Sequence, residues 1–92
     1  MIEPTLTEIV YGTAWGHIYD FEEGAELPTH IHNEFTTHMS FIMLGTFLIT
    51  RSGVEHTHSF GEYVSFEPGE EHSIKALTKG RIFQLRKANL MA

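Results

Sequence analysis

Apolar and polar residues alternate in short runs along the chain, and no segment keeps a helical period over about eleven residues. Val, Ile, Thr, Phe and Tyr fall in these runs, which suits pleated, half-buried strands. Turn-forming stretches separate them: EEGAELP at 22–28, LGT at 44–46, RSG at 51–53, FGE at 60–62, EPGEE at 67–71 and TKG at 78–80. The pattern predicts strands near 8–15, 17–22, 29–32, 38–44, 46–51, 54–60, 62–66, 72–77 and 81–87. Many short strands at this spacing predict an all-β sandwich or barrel. The 92 residues are expected to form a single domain over 1–92, with 1–9 as an N-terminal arm or edge strand.

Charge narrows the partners. Twelve Asp and Glu stand against six Lys and Arg, a formal net charge of −6. A nucleic acid or an acidic membrane surface is therefore not expected, because phosphate contacts need clustered cations. No window holds the roughly 18 consecutive apolar residues of a membrane-spanning helix. The opening MIEPTLTEIV lacks a basic-then-apolar leader pattern, and a cytoplasmic location is the expectation. With no Cys, disulfides and thiolate ligands are excluded.

Histidine is the residue that suggests chemistry. Of seven in the chain, His30, His32 and His38 lie within THIHNEFTTH at 29–38. Residues two apart on a strand share a face, so His30 and His32 point together and can converge on one ion. His38 opens the next strand and can return beside them, while His72 begins a later strand directly after EPGEE. These four form a candidate metal constellation. Glu34 shares parity with His30 and His32, and in a second arrangement it supplies a carboxylate in place of His38. His56 and His58 share a face with Val54 and Phe60 and read as packed or cup-lining residues before a second metal site. His17 reads as an ordinary strand residue.

The spacing around these histidines resembles the two motifs of the cupin superfamily over residues 24–76. Gly24, AELPT, His30-Ile31-His32 and Gly45 follow the first motif, with His38 six residues before that last glycine. Gly61, EYVSF, Glu67-Pro68-Gly69, Glu70-Glu71, His72 and Ala76 follow the second. The resemblance implies a double-stranded β-helix (jelly-roll) barrel with a divalent metal in its cup, and His30, His32 and His72 match ligand positions. The chain departs from the pattern at three places. His38 replaces the usual Glu, with five residues between it and His32, Glu67 replaces a Pro, and Ala76 replaces an Asn.

Four neutral imidazoles would leave the full charge on the ion and favour Fe, Ni, Cu or Zn over Mg or Ca. The resemblance implies dioxygenases, isomerases, lyases and cyclases acting on small organic substrates. Without a ligating Glu, proton transfer would fall to Tyr19, Tyr63, His56 or His58, or to a water activated by the ion. Strand parity leaves open which way Tyr19, Tyr63 and Gln84 point. Ser40, Ile42 and Leu44 share the His38 face, and Ile74 and Ala76 share the His72 face, giving a mostly apolar cup. Two other readings stand beside the enzyme: a non-enzymatic module that binds a metal or a small ligand such as an anion or a sugar acid, and a barrel stapled by structural zinc. Met39 to Leu44 is apolar on both faces, so Met39, Phe41 and Met43 need a cover, either a second sheet or a second subunit in a homodimer.

Overall fold

The computed structural model describes residues 2–11, 14–30, 36–67 and 69–88; the side chains at 11, 29, 30, 36–38, 87 and 88 lie outside that description. Nine strands follow one another: β1 Thr5–Tyr11, β2 Ala14–Phe21, β3 Glu26–His30, β4 Thr36–Leu44, β5 Thr46–Arg51, β6 Val54–Ser59, β7 Tyr63–Phe66, β8 His72–Ala76 and β9 Gly80–Ala88. Among the described residues there is no helix. A five-stranded sheet runs β1-β2-β9-β4-β7 and a four-stranded sheet runs β3-β8-β5-β6, all pairs antiparallel. The sheets face each other as a double-stranded β-helix, as the strand pattern and the motif spacing implied.

Alternation supplies the core. Phe21, Ile42, Val64, Phe66 and Ile82 of the five-stranded sheet meet Phe47, Ile49, Ile74 and Ala76 of the other, and all are buried. Phe21 and Phe47 meet edge to face across the gap, with ring centroids 5.0 Å apart. Register then stacks the inner residues in rows. Leu27, Ile74, Ile49 and His56 form one row of the four-stranded sheet, and His30, His72 and Arg51 form the next.

Two departures from the expected strands have clear causes. The first reversal falls between Tyr11 and Ala14, not at residue 16, so Gly16 lies inside β2. A Cβ there would stand 2.6 Å from Cε1 of Phe83, so the missing side chain makes room for that ring on the outer face. Strand β3 begins at Glu26, earlier than residue 29, and shifts register between Leu27 and His30. Three steps on β3 match two on β8, which is a bulge. Pro28 lies in this bulge, where a missing N–H costs no ladder bond. A second bulge between Ile42 and Leu44 takes Leu44 off the inner face and leaves it 55% exposed, against its expected place in the cup.

Gly45 turns the chain from one sheet into the other with φ of +86°. A Cβ there would lie 2.5 Å from the carbonyl oxygen of Lys79 and 2.9 Å from Cα of Gly80. At Gly53, with φ of +81°, it would meet nothing within 4 Å. Gly53→Ala is expected to cost the left-handed conformation alone, about 1–2 kcal/mol. Gly45→Ala adds a backbone clash and should cost more than about 3 kcal/mol. Urea denaturation of both variants checks this, and equal losses would refute the role given to the close approach.

Candidate functional site

The histidine end of the barrel is built from facing rows. On the four-stranded sheet, His72 pairs with His30 on one side and Arg51 on the other. On the five-stranded sheet, His38 pairs with Phe66 on one side and Arg86 on the other, and Arg86 pairs in turn with Trp15. The rings of Phe66 and His72 stack with centroids 3.8 Å apart and 6° between planes, tying the two rows together. The backbone therefore brings positions 30, 38 and 72 to one end of the barrel. His32 and Glu34 lie outside the described residues. Among the described residues no group of three or more His, Cys, Asp or Glu is placed to hold a metal ion.

His72 is 1% exposed, and its Nδ1 lies 3.0 Å from the carbonyl oxygen of Glu70. A carbonyl only accepts, so Nδ1 carries the hydrogen and the neutral ring keeps its lone pair on Nε2. This is the tautomer that a metal ligand needs, with its other nitrogen anchored to the backbone. The donor set at this position thus fits a transition metal. Glu70 is itself braced. Its carboxylate accepts from Nε and Nη2 of Arg51 at 3.1 and 2.7 Å and from the Glu67 amide at 3.0 Å. The Arg51 hydrogen bonds hold the Glu70 carboxyl below its ordinary value. Arg51 also donates to the Ser65 carbonyl and places its guanidinium carbon 5.2 Å from the Phe66 ring centroid. A concavity of about 160 Å³, lined by Thr50, Ser52, Gly53, Glu71 and His72, adjoins the ring. A larger one, about 380 Å³, is lined by Asp20, Met43, Lys79 and Arg81 among others and lies at the far end, away from the histidines.

Below that row the inner face of the five-stranded sheet carries a polar strip within the mostly apolar cup. Glu8, His17, Gln84 and Ser40 are register partners across β1, β2, β9 and β4. His17 is 7%, Gln84 2% and Ser40 0% exposed. Gln84 Nε2 donates to the Ser40 hydroxyl at 3.4 Å, while its Oε1 accepts from Nε and Nη2 of Arg86 at 3.2 and 2.9 Å. The Arg86 guanidinium also lies near enough to the Tyr19 phenol to act on it electrostatically.

His17 was read from the sequence as an ordinary strand residue, and the structure gives it more. Its Nε2 donates to the Glu8 carboxylate at 2.8 Å, which puts the lone pair of the neutral ring on Nδ1. That nitrogen is buried and has no hydrogen-bond partner among the described residues. A carboxylate-held histidine with a fixed tautomer is a proton-transfer pair in form. The signal was present as Glu8 and His17, but only the register of β1 on β2 makes them neighbours.

The other expected acid–base residues separate. Tyr19 is in the cup, 9% exposed, stacked edge to face on His17 at 5.9 Å. Burial pushes its phenol above the ordinary value, an effect the nearby Arg86 reduces and Glu8 reinforces. It remains a protonated hydrogen-bond donor at neutral pH. Tyr63 corrects the expectation: it is 62% exposed on the outer face against Phe41, because β7 alternates inward at Val64 and Phe66. His58 lies on the edge strand β6, opposite Phe47, with Nδ1 3.3 Å from Glu62, and His56 is exposed beside it with ring centroids 6.3 Å apart. The structure does not bring His58 or Tyr63 to His72.

No family model matches the sequence, and no curated protein does. Solved structures do match in fold. The cupin domain of Cnp3 from Schizosaccharomyces pombe superposes with a TM-score of 0.83 at 15% identity, over 90% of this chain and 63% of that one. An RmlC-like cupin from Desulfovibrio desulfuricans gives 0.84 at 16% identity, over 92% of this chain and 82% of that one. A Klebsiella pneumoniae protein described by its double-stranded β-helix domain gives 0.84 at 13% identity, over 98% and 81%. The chain spans less than two thirds of the Cnp3 domain. This chain has the cupin fold.

Because its folded-state value is raised, Tyr19 contributes stability that is present below about pH 10 and is lost as pH rises through the folded value. Ultraviolet titration of the tyrosines should show one ionisation later than the rest, absent in Tyr19→Phe. An unchanged curve in that variant would refute the burial argument.

Proposed function

We propose that this chain is a small metal-dependent cupin whose cup holds one divalent transition ion on His30, His32, His38 and His72 and converts a small organic molecule beside it. The observation that carries the reading is His72. It is a fully buried imidazole whose Nδ1–H is spent on the Glu70 carbonyl and whose lone pair is on Nε2, directly opposite His30 in the β3–β8 register. The register position of His38, between Phe66 and Arg86, supports its membership. Such an ion, Fe, Ni, Cu or Zn by the donor set, would supply Lewis acidity at the substrate. The chain's own residues do the rest. Gln84, Ser40 and Tyr19 orient the substrate by hydrogen bonds, the apolar floor excludes water, and His17, held by Glu8, accepts or returns a proton at Nδ1.

Elemental analysis tests the ion. The wild type is expected to carry about one equivalent and His72→Ala none, and affinity should fall as pH drops through about 6.5, because protons compete for the imidazoles. His38→Glu should keep the ion; His38→Ala with full occupancy would remove His38 from the set and reopen the place of Glu34. Oxygen uptake and product formation over a panel of diketones and thiols then separate an enzyme from a binding module. Loss of fold on chelation, with no turnover, would favour the structural zinc reading.

The partner in this reading is a second copy of the chain. Phe41 and Phe83 stack with centroids 6.3 Å apart on the outer face of the five-stranded sheet, flanked by Tyr63. Ile9 is 51% and Leu85 36% exposed on the same face. Of the two covers expected for Met39, Phe41 and Met43, the second sheet is taken up on the inner side. Light scattering is expected to give about twice the 10.5 kDa of the chain. A particle of 10.5 kDa at micromolar concentration would refute the dimer.

A further inference from the structure

The three arginines of the chain are treated differently by the fold. Arg51 holds the Glu70 carboxylate through two nitrogens, and Arg81 holds Asp20 through Nε at 2.6 Å and Nη2 at 3.3 Å. Arg86, the one on the inner wall beside the His38 position, has no carboxylate partner among the described residues: it donates through Nε and Nη2 to the Gln84 amide oxygen, with the Tyr19 phenol nearby. Glu8, the anion of the adjacent inner row, is committed to His17 at 2.8 Å. In a chain of net charge −6, a guanidinium on the inner wall with no carboxylate partner among the described residues is a conspicuous choice.

From this arrangement we infer that Arg86 is the charge partner of the ligand, and that the cup takes a small organic monocarboxylate. The guanidinium has five donors in a planar fork that matches a carboxylate. Nε and one Nη2 hydrogen are spent on Gln84, so that residue fixes the plane of the group while other donors remain. Tyr19, kept protonated by burial, can donate to the same carboxylate, and Gln84 and Ser40 extend the polar strip inward. Ile42, Ile82, Ile49 and Ile74 form a floor with no polar atom for a charged tail, so the rest of the ligand is short and uncharged. The subsite rests on the cup being the ligand site, as proposed above, but not on the metal.

The experiment uses the full chain stripped with chelator and, separately, loaded with metal. Sodium pyruvate, its methyl ester and inorganic phosphate are the probes, followed by NMR titration. The stripped wild type is expected to bind pyruvate saturably, and at least about tenfold more tightly than the methyl ester. Arg86→Gln should lose at least about tenfold for pyruvate and nothing for the ester, with Arg86→Lys between them. A stripped wild type that binds pyruvate but takes up no metal would sink the metal reading and leave the carboxylate subsite standing. Pyruvate binding within twofold in Arg86→Gln, an ester that binds as well as the acid, phosphate in preference to pyruvate, or no saturable binding to the stripped protein would each overturn the inference. Should Arg86→Gln fail to fold, the acid-against-ester comparison on the wild type and Arg86→Lys decides it.

Discussion

The pairing of β8 with β3 on one side and β5 on the other is the constraint on which the histidine end depends. It sets His30, His72 and Arg51 in one row and brings Glu70, at the turn before β8, under Arg51. One residue then serves twice. The Glu70 carbonyl fixes the tautomer of His72, and its carboxylate locks the turn to β5 through a two-nitrogen ion pair. A charge-assisted pair whose side chains are 28% and 18% exposed loses less to screening than one on the open surface. The orientation of a buried imidazole is thereby tied to the strand ladder instead of to a free rotamer.

The same barrel carries a cost it would not need for folding alone. Ser40, Gln84 and His17 are buried where valine or leucine would pack, and each polar group left unsatisfied costs about 1–3 kcal/mol. The chain offsets this by connecting them: Arg86 to Gln84, Gln84 to Ser40, and His17 to Glu8. The two histidines that are buried among the described residues are held in opposite tautomers, His72 with its lone pair on Nε2 and His17 with its lone pair on Nδ1. One suits an ion at the mouth of the cup, and the other suits a proton partway along the opposite wall.

The strand β1 shows a different economy. It pairs with β2 alone, and the four-stranded sheet has no strand to cover it, so Leu6 and Val10 stay more than half exposed although they share a face with the core-facing Tyr19. Glu8 reaches inward, to His17. The edge strand therefore contributes its one polar inner residue to the cup and little to the core.

Period-two alternation and regular turn signals are local properties, and they were enough to read the all-β class, the nine strands and the inward set of Ser40, Ile42, Ile74 and Ala76. The spacing of Gly24, Gly45, Gly61 and Gly69 was legible for the same reason. Each lies at positive φ, between +80° and +91°, a requirement written at single positions. Phase and pairing were not legible. A bulge shifts parity without leaving a mark in the alternation, so the Pro28 bulge that sets His30 opposite His72, and the one that expels Leu44, appear only once two strands are laid side by side. The direction of Tyr63, the coupling of Glu8 to His17 and the bond of Arg86 to Gln84 likewise follow from which strands become neighbours. Contacts between residues far apart in the chain, such as Arg86 beside His38, are decided by the ladder register, which tertiary packing alone selects.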